Sequence, residues 1–116
     1  MFRFEELDIW RLAIEYADEI YNLTKKMPSD EKYNLITQFK KAALSISNNI
    51  AEGSGTSTSR NFRSFLDISL SSALETVNLL HFAKIRKYIT EEDRLKFYVK
   101  AEVLIKKIRA FKNSLK

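Results

Sequence analysis

The last twenty residues carry the pattern that most restricts the fold of this chain. Apolar residues recur there at alternating spacings of four and three, at Phe97, Ala101, Leu104, Ile108, Phe111 and Leu115. Such a repeat places one apolar stripe along a helix and is typical of helices that pack lengthwise against one another. A similar repeat runs from Ile36 to Ile50. The sequence therefore predicts an all-α protein.

Turn-forming residues divide the chain into four helical segments. Pro28 ends the first, because proline disfavours helical geometry in the residue before it, and Ser29 is the predicted N-cap of the second. Gly53 ends the second, and Thr90, followed by three acids, caps the fourth. The predicted helices span about 6–26, 30–52, 58–87 and 91–115. Because the connections are short, we expect one domain, 1–116, folded as an antiparallel up-and-down four-helix bundle.

Composition limits the classes of protein to be considered. The chain has 116 residues, two glycines, one proline and no cysteine. This length supports one hydrophobic core, and the absence of cysteine excludes disulfide bonds and thiolate metal sites. No basic segment followed by an apolar run stands at the start, and no apolar stretch approaches a membrane span. We therefore expect a cytoplasmic protein that is neither exported nor inserted into a membrane.

The net charge of +5 is distributed unevenly along the chain. Residues 1–59 carry seven Lys/Arg and nine Asp/Glu, whereas residues 60–116 carry thirteen and six. Between Arg94 and Lys116 there are eight basic residues and one acid, Glu102. A polyanionic partner would explain this bias, because clustered Lys and Arg release counterions from phosphates. A solvated helix face that only keeps the protein soluble is the alternative.

The basic residues suited to phosphate contact lie on helix four and beside the Ser/Thr-rich loop. On helix four they form two edges that flank the apolar stripe. The candidates are Lys96, Lys100, Lys107, Arg109 and Lys112, with Lys40, Lys41, Arg60 and Arg63 extending the surface if the helices present them together. Because no exposed aromatic residues are interleaved with them, the sequence predicts contacts to the nucleic-acid backbone without base-specific recognition.

Helix one carries more apolar surface than one face of a bundle requires. A second stripe, made of Ile9, Leu12, Tyr16 and Leu23, lies beside its main stripe. The apolar arc reaches roughly 200°, against roughly 100° for a helix on the surface of a monomer. Either two neighbouring helices of the same chain cover this second stripe, or another subunit does. In the second case these four residues form an oligomer interface.

No catalytic or metal-binding constellation is evident. The only histidine, His81, has no cysteine or second histidine as a co-ligand. The sequence contains no glycine-rich phosphate-binding loop and no nucleophile motif. An enzyme would require the fold to bring together carboxylates such as Glu52 and Glu75. We therefore expect a protein that is not an enzyme and binds neither a metal nor a cofactor.

A polar stripe on helix two borders its apolar stripe. Its members are Gln38, Lys41, Ser45, Asn49 and Glu52, at spacings of three and four. In a structural interpretation, Asn49 and Glu52 hydrogen-bond the helix end and hold Gly53 in a turn conformation. A ligand-binding role is the alternative, because polar groups beside a buried stripe need partners.

The most specific motif is Gln38-Phe-Lys-Lys-Ala-Ala-Leu-Ser-Ile-Ser-Asn-Asn-Ile-Ala-Glu-Gly53. With this motif the chain resembles the bacterial four-helix-bundle proteins encoded in intervening sequences of 23S rRNA genes, which are related to the accessory variability protein of diversity-generating retroelements. On helix three the family usually has Gly-Ser-x-x-Glu-Leu, where this chain has Ser71-Ser-Ala-Leu-Glu-Thr76. Ser72 and Glu75 are retained. At position 71 serine replaces glycine, and a larger side chain there would limit how closely the helices can approach.

The resemblance implies a homo-oligomer, often a pentameric ring, and a mainly structural role for the motif residues Gln38, Ser45, Asn49, Glu52, Gly53, Ser72 and Glu75. Related proteins partner a reverse transcriptase and bind nucleic acid through basic surfaces. We therefore expect a non-enzymatic oligomer that binds RNA or another nucleic acid through basic helix faces, with a reverse transcriptase or another protein as a further partner. A protein-interaction scaffold that makes no direct contact with nucleic acid is the alternative.

Overall fold

Four α-helices form most of the structure, a computed structural model that describes residues 1–116. The helices are α1 (Asp8–Thr24), α2 (Leu35–Ser54), α3 (Ser59–Ile85) and α4 (Glu91–Ser114), and two short 3-10 turns span Arg3–Glu6 and Ser29–Glu31. There are no strands. The all-α class and the four-helix bundle expected from the apolar spacing are confirmed.

The helices follow one another around a single core. Helix α1 packs beside α2 and α4, and α3 packs beside the same two helices. Short connections make each helix antiparallel to the next, as expected for this topology. The core contains 24 buried apolar residues, which come from all four helices and, in the connections, from Met27 and Ile89. Phe39, Ile46, Leu66 and Ile108 are among its fully buried side chains, so the stripes predicted on helices two and four do face the interior.

Helices α2 and α3 form the most extensive helix pair, and serine side chains bridge them. The Ser69 hydroxyl donates to the Ile46 carbonyl at 2.9 Å, and the Ser72 hydroxyl donates to Ser45 Oγ at 2.7 Å. Both donors are buried, and a buried hydroxyl without a partner would destabilise the fold. These two serines therefore join the helices without leaving a buried hydroxyl unpaired. Ser71, which stands where the family usually has glycine, is exposed and takes no part in these bridges.

The start of α2 differs from the sequence prediction. Ser29 does not cap a helix that begins at residue 30; it lies in a 3-10 turn that Pro28 precedes, and α2 begins only at Leu35. The backbone of Asn34, with φ of −120° and ψ of −99°, separates the turn from the helix. Local capping chemistry pointed to the right region, but a second turn intervenes. At α4 the prediction is correct, because Thr90 Oγ1 accepts the Asp93 N–H at 3.0 Å.

Gly53 is not the turn residue that the sequence suggested. It lies inside α2, which continues to Ser54, and no glycine of the chain has a positive φ. A Cβ atom at this position would lie 2.8 Å from Phe62 Cδ1 and 2.8 Å from Phe65 Cβ. Glycine is therefore required here because α3 packs directly against the backbone of α2, and not because the chain turns.

Candidate nucleic-acid interface

The nine candidate basic residues fall on three separate parts of the surface. Lys96, Lys100 and Lys107 lie on the side of α4 that faces α1, and we call them the α4 lysine edge. Arg60, Arg63, Arg109 and Lys112 lie where the start of α3 meets the end of α4, and we call them the α3–α4 basic surface. Lys40 and Lys41 lie on α2.

Acids of α1 partly neutralise the α4 lysine edge. Lys100 Nζ forms an ion pair with Glu19 at 2.5 Å, and Glu15 lines the same cleft. Lys96 shares a shallow surface depression with Glu19 and Asp93. Lys96 and Lys107 are exposed, and neither has a carboxylate oxygen within 4.0 Å. Phosphates approaching this edge would therefore meet negative charge as well as lysines.

The α3–α4 basic surface is held together by contacts between the two helices. Arg63 Nη1 donates to the Leu115 carbonyl at 3.3 Å, and Lys112 forms an ion pair with Asp67. Arg60 lies one turn before Arg63, and Arg109 lies one turn before Lys112, so each shares a face with its neighbour. Because Arg63 contacts Leu115 and the two helices are antiparallel, Arg109 lies about nine residues of α3 beyond Arg60. At 1.5 Å per residue, the four groups therefore span about 14 Å along the bundle. Arg60 and Arg109 are exposed and make no ion pair.

Lys40 and Lys41 do not extend the α3–α4 basic surface, contrary to the arrangement considered from the sequence. Lys40 Nζ lies 4.8 Å from the centre of the Tyr21 ring on α1. Along α2, Lys41 is twelve residues before Gly53, or about 18 Å from the end of the bundle where Arg60 lies. The basic residues of α2 therefore belong to a different face.

The N-terminal turn adds a basic residue that sequence analysis missed. The Arg3 guanidinium lies over the Phe62 ring, 5.2 Å from its centre, and Phe62 packs edge-on against Phe111 of α4 at 5.5 Å. Arg3 thus joins the end of the bundle that carries Arg63. Beside it is Phe2, an exposed aromatic residue. No local pattern links residue 3 to residue 62, so only the folded chain reveals this contact.

The motif residues form an interhelical network in their middle part. The Asn49 amide donates to the Ser45 carbonyl at 2.8 Å and to Ser45 Oγ at 3.0 Å, and Ser45 Oγ also accepts from Ser72. Asn49 therefore points back along α2. The sequence had suggested a bond to the helix end, and that prediction is wrong. The remaining polar members, Gln38, Glu52 and Glu75, are exposed.

Glu52 and Glu75 are not brought together. Gly53, next to Glu52, faces Phe65 of α3, and Glu75 lies ten residues further along α3, which is about 15 Å. No group of three or more His, Cys, Asp or Glu residues is placed to hold a metal ion. The one carboxylate pair considered for catalysis is therefore not assembled by the fold.

Most of the second apolar stripe of helix one is covered within the chain, contrary to the interface interpretation. Ile9, Tyr16 and Leu23 are at most 4% exposed, because α2, α3 and α4 pack around them. Leu12 is half-buried and lines a cleft of about 200 Å³ between α1 and α4, together with Val99 and Val103. Both valines remain nearly half exposed, at 48% and 45%. Apolar surface thus remains open on α4, where the sequence pattern did not predict it.

Fold and charge together define a four-helix-bundle protein with a basic surface at one end, and none of its helices is sufficiently long and apolar to cross a membrane. The sequence model of the 23S rRNA-intervening sequence protein family matches residues 5–110. The chain belongs to this family, which confirms the resemblance seen in the motif that ends at Gly53.

Comparison with solved structures supports the fold. The chain is similar to a protein of unknown function from the S23 ribosomal protein family of Bacteroides thetaiotaomicron VPI-5482. The two share 24% sequence identity and superpose with a TM-score of 0.83, over 91% of this chain and 99% of the other. No curated protein matches the chain. The family name associates the chain with 23S rRNA intervening sequences, which suggests an RNA-related role.

Proposed function

We propose that the protein is a non-enzymatic, oligomeric RNA-binding protein that contacts phosphates mainly through the α3–α4 basic surface. The observation that carries this proposal is the placement of Arg60, Arg63 and Arg109 at one end of the bundle, where α3 meets the end of α4 and the nearby Asp67 is paired with Lys112. Arginine forks match phosphate oxygens well. The family's association with rRNA intervening sequences makes RNA the first ligand to test.

The spacing of the basic groups suits backbone contact. Over about 14 Å, one strand of a nucleic-acid helix presents about four phosphates at roughly 3.4 Å of axial rise each. The four basic groups of the surface therefore match a short backbone segment. Because α3 and α4 are packed against each other, the backbone positions of these residues are fixed before any ligand binds, which reduces the entropy lost on binding.

A homo-oligomer would strengthen such binding. Each copy repeats the same basic surface, so contacts that are weak singly act together when several copies engage one RNA. The open apolar cleft formed by Leu12, Val99 and Val103 supports a subunit contact on the α1–α4 side. The family resemblance suggests a pentamer.

A salt titration tests the proposal. Wild-type protein should bind RNA at low salt, with log affinity falling linearly against log salt concentration, because each neutralised phosphate releases counterions. Replacing Arg60, Arg63 and Arg109 with glutamine should make that slope shallower by about 0.7 per lost contact on single strands. A matched control replaces Lys25, Lys32 and Lys87, which lie at the other end of the bundle, and should keep the wild-type slope.

Lack of RNA binding by the wild type at low salt would reject the proposal. The second candidate function, a protein-interaction scaffold, would then be favoured by the exposed apolar stripe of Leu95, Val99 and Val103 on α4. These residues recur every four positions and so form one continuous stripe. In a scaffold this stripe would bind a protein partner, and the basic residues would serve solubility.

A further inference from the structure

The N-terminal turn presents an aromatic ring to solvent in a defined orientation. Phe2 is 72% exposed, yet its ring is stacked on that of Phe4, with centroids 6.1 Å and planes 13° apart. Phe4 packs edge-on against Trp10 of α1 at 5.0 Å. The Phe2 carbonyl accepts the Glu5 N–H at 3.1 Å. One face of the Phe2 ring is therefore supported by the fold, and the other is open.

One cation adjoins this residue in the sequence, and the Glu5 carboxylate also lies close, accepting the Phe2 N–H at 3.4 Å. Arg3 follows Phe2 directly, and its guanidinium sits over Phe62. Arg63, which follows Phe62 in the sequence, reaches the end of α4 through its hydrogen bond to Leu115. The open aromatic face and the α3–α4 basic surface thus occupy the same end of the bundle.

Single-stranded nucleic acids are bound by this combination of groups. Basic side chains contact the phosphates while aromatic rings stack on the unpaired bases, and stacking tolerates any base because every base has a flat face. A continuous duplex does not offer its base faces. We propose that the open face of Phe2 is a stacking site for one unpaired RNA base, with Arg3 and the α3–α4 basic surface contacting the neighbouring phosphates. This inference rests on the proposed RNA-binding function.

If Phe2 stacks on a base, the protein should prefer RNA with unpaired bases over fully paired RNA. Fluorescence anisotropy would compare a single-stranded RNA of about twelve nucleotides with the blunt duplex of the same sequence. The variant Phe2→Leu keeps an apolar side chain on Phe4 but removes the aromatic face. It should bind the single strand at least about five-fold more weakly, the lower end of the effect of losing one base stack, and bind the duplex as the wild type does. Phe2→Trp should bind the single strand at least as tightly as wild type.

Tyr33→Leu is the matched control. Tyr33 is 83% exposed but lies between α1 and α2, at the other end of the bundle, so its loss should leave both affinities unchanged. Equal binding of the single strand by Phe2→Leu and wild type would overturn this inference alone, and so would equal losses on single strand and duplex. Absence of any RNA binding by the wild type would overturn the proposed function as well.

Discussion

The Tyr16 hydroxyl on α1 donates to Thr76 Oγ1 on α3 at 2.8 Å, across the diagonal of the bundle. Thr76 uses its own hydrogen to bond the Ala73 carbonyl at 2.6 Å, so Tyr16 is the donor. Burial raises the pKa of Tyr16 to about 12, so the phenol stays protonated well into the alkaline range. This bond fixes α1 against α3, which are not neighbours around the core.

Removing this hydroxyl should destabilise the protein measurably. Tyr16→Phe should lower the free energy of unfolding by about 1 kcal/mol, the usual net value of one buried hydrogen bond, as measured by urea denaturation. Tyr98→Phe is the control, because the Tyr98 ring packs on His81 and its hydroxyl makes no hydrogen bond within the chain. Equal stability of Tyr16→Phe and wild type would show that this hydrogen bond is no stronger than the bond that the hydroxyl makes to water in the unfolded chain.

A methyl group at position 53 should destabilise the α2–α3 contact. In Gly53→Ala the new Cβ meets Phe62 and Phe65 at 2.8 Å, and overpacking of this kind costs about 1–3 kcal/mol. The better helix propensity of alanine returns only about 1 kcal/mol, so the net effect should be a loss of stability. Gly55→Ala, where the nearest atom is 3.6 Å away, should be neutral or slightly stabilising. Thermal denaturation of both variants would decide, and a higher melting temperature for Gly53→Ala would contradict the steric argument.

Gly53 also illustrates where prediction from sequence ends. The heptad pattern of α4 placed Phe97, Ala101, Leu104 and Ile108 correctly in the core, because helical periodicity is a local property. The reason for Gly53 is a contact with α3, and Asn49 likewise bonds Ser45 and not the helix end. Local chemistry alone favoured a turn at these positions, and tertiary packing decided otherwise.

The functional surface was harder to predict than the fold. The basic residues could be identified from the sequence, but their grouping depends on which helices are neighbours. Arg63 meets α4, whereas Lys40 rests on Tyr21 of α1. The contact between Arg3 and Phe62 joins residues 59 positions apart. Only the closed bundle brings such distant positions to one end.

The α1–α4 cleft is the place where we expect one subunit to contact another. Wild-type protein should be larger than a monomer in light scattering, and Leu12→Glu combined with Val103→Glu should give smaller species that remain helical by circular dichroism. Both side chains line the cleft and are partly exposed, so charges there can be solvated in the free chain. Ile85→Glu, at an exposed position outside this cleft, should leave the assembly intact. A monomeric wild type would rule out the oligomer.

The start of α4 should lose stability in acid. Hydrogen bonds from Arg94, together with the nearby charges of Arg94 and Lys84, lower the pKa of Glu91 from 4.5 to about 2. A depressed pKa means that the ionised carboxylate stabilises the fold above its unfolded pKa, and that this contribution is lost as pH falls from about 4.5 through about 2. The melting temperatures of wild type and Glu91→Gln should therefore differ most above about pH 5 and converge near pH 2. A difference that is constant over this range would mean that the ion pair is not responsible.

The α4 lysine edge and the α3–α4 basic surface should contribute unequally to RNA binding. Within the α4 lysine edge, Lys100 is already paired with Glu19, and a phosphate that displaced Glu19 would gain one contact while losing another. Replacing Lys96, Lys100 and Lys107 with glutamine should therefore reduce the salt slope by no more than two single contacts, or about 1.4 on single strands. The corresponding change of Arg60, Arg63 and Arg109 should reduce it by more, up to about 2.1.

Glu19→Gln tests directly whether Glu19 of α1 masks the α4 lysine edge. If the lysine edge is masked by α1, this variant should release Lys100 and increase RNA affinity at low salt, with a steeper salt slope. Asp18→Gln is the control, because Asp18 is exposed on α1 and takes part in no ion pair, so it alters the net charge equally without touching Lys100. If the lysine-edge variant reduces the salt slope more than the arginine variant does, the principal RNA contact lies on the α1–α4 side. Equal gains from Glu19→Gln and Asp18→Gln would mean that only the overall charge of the protein matters.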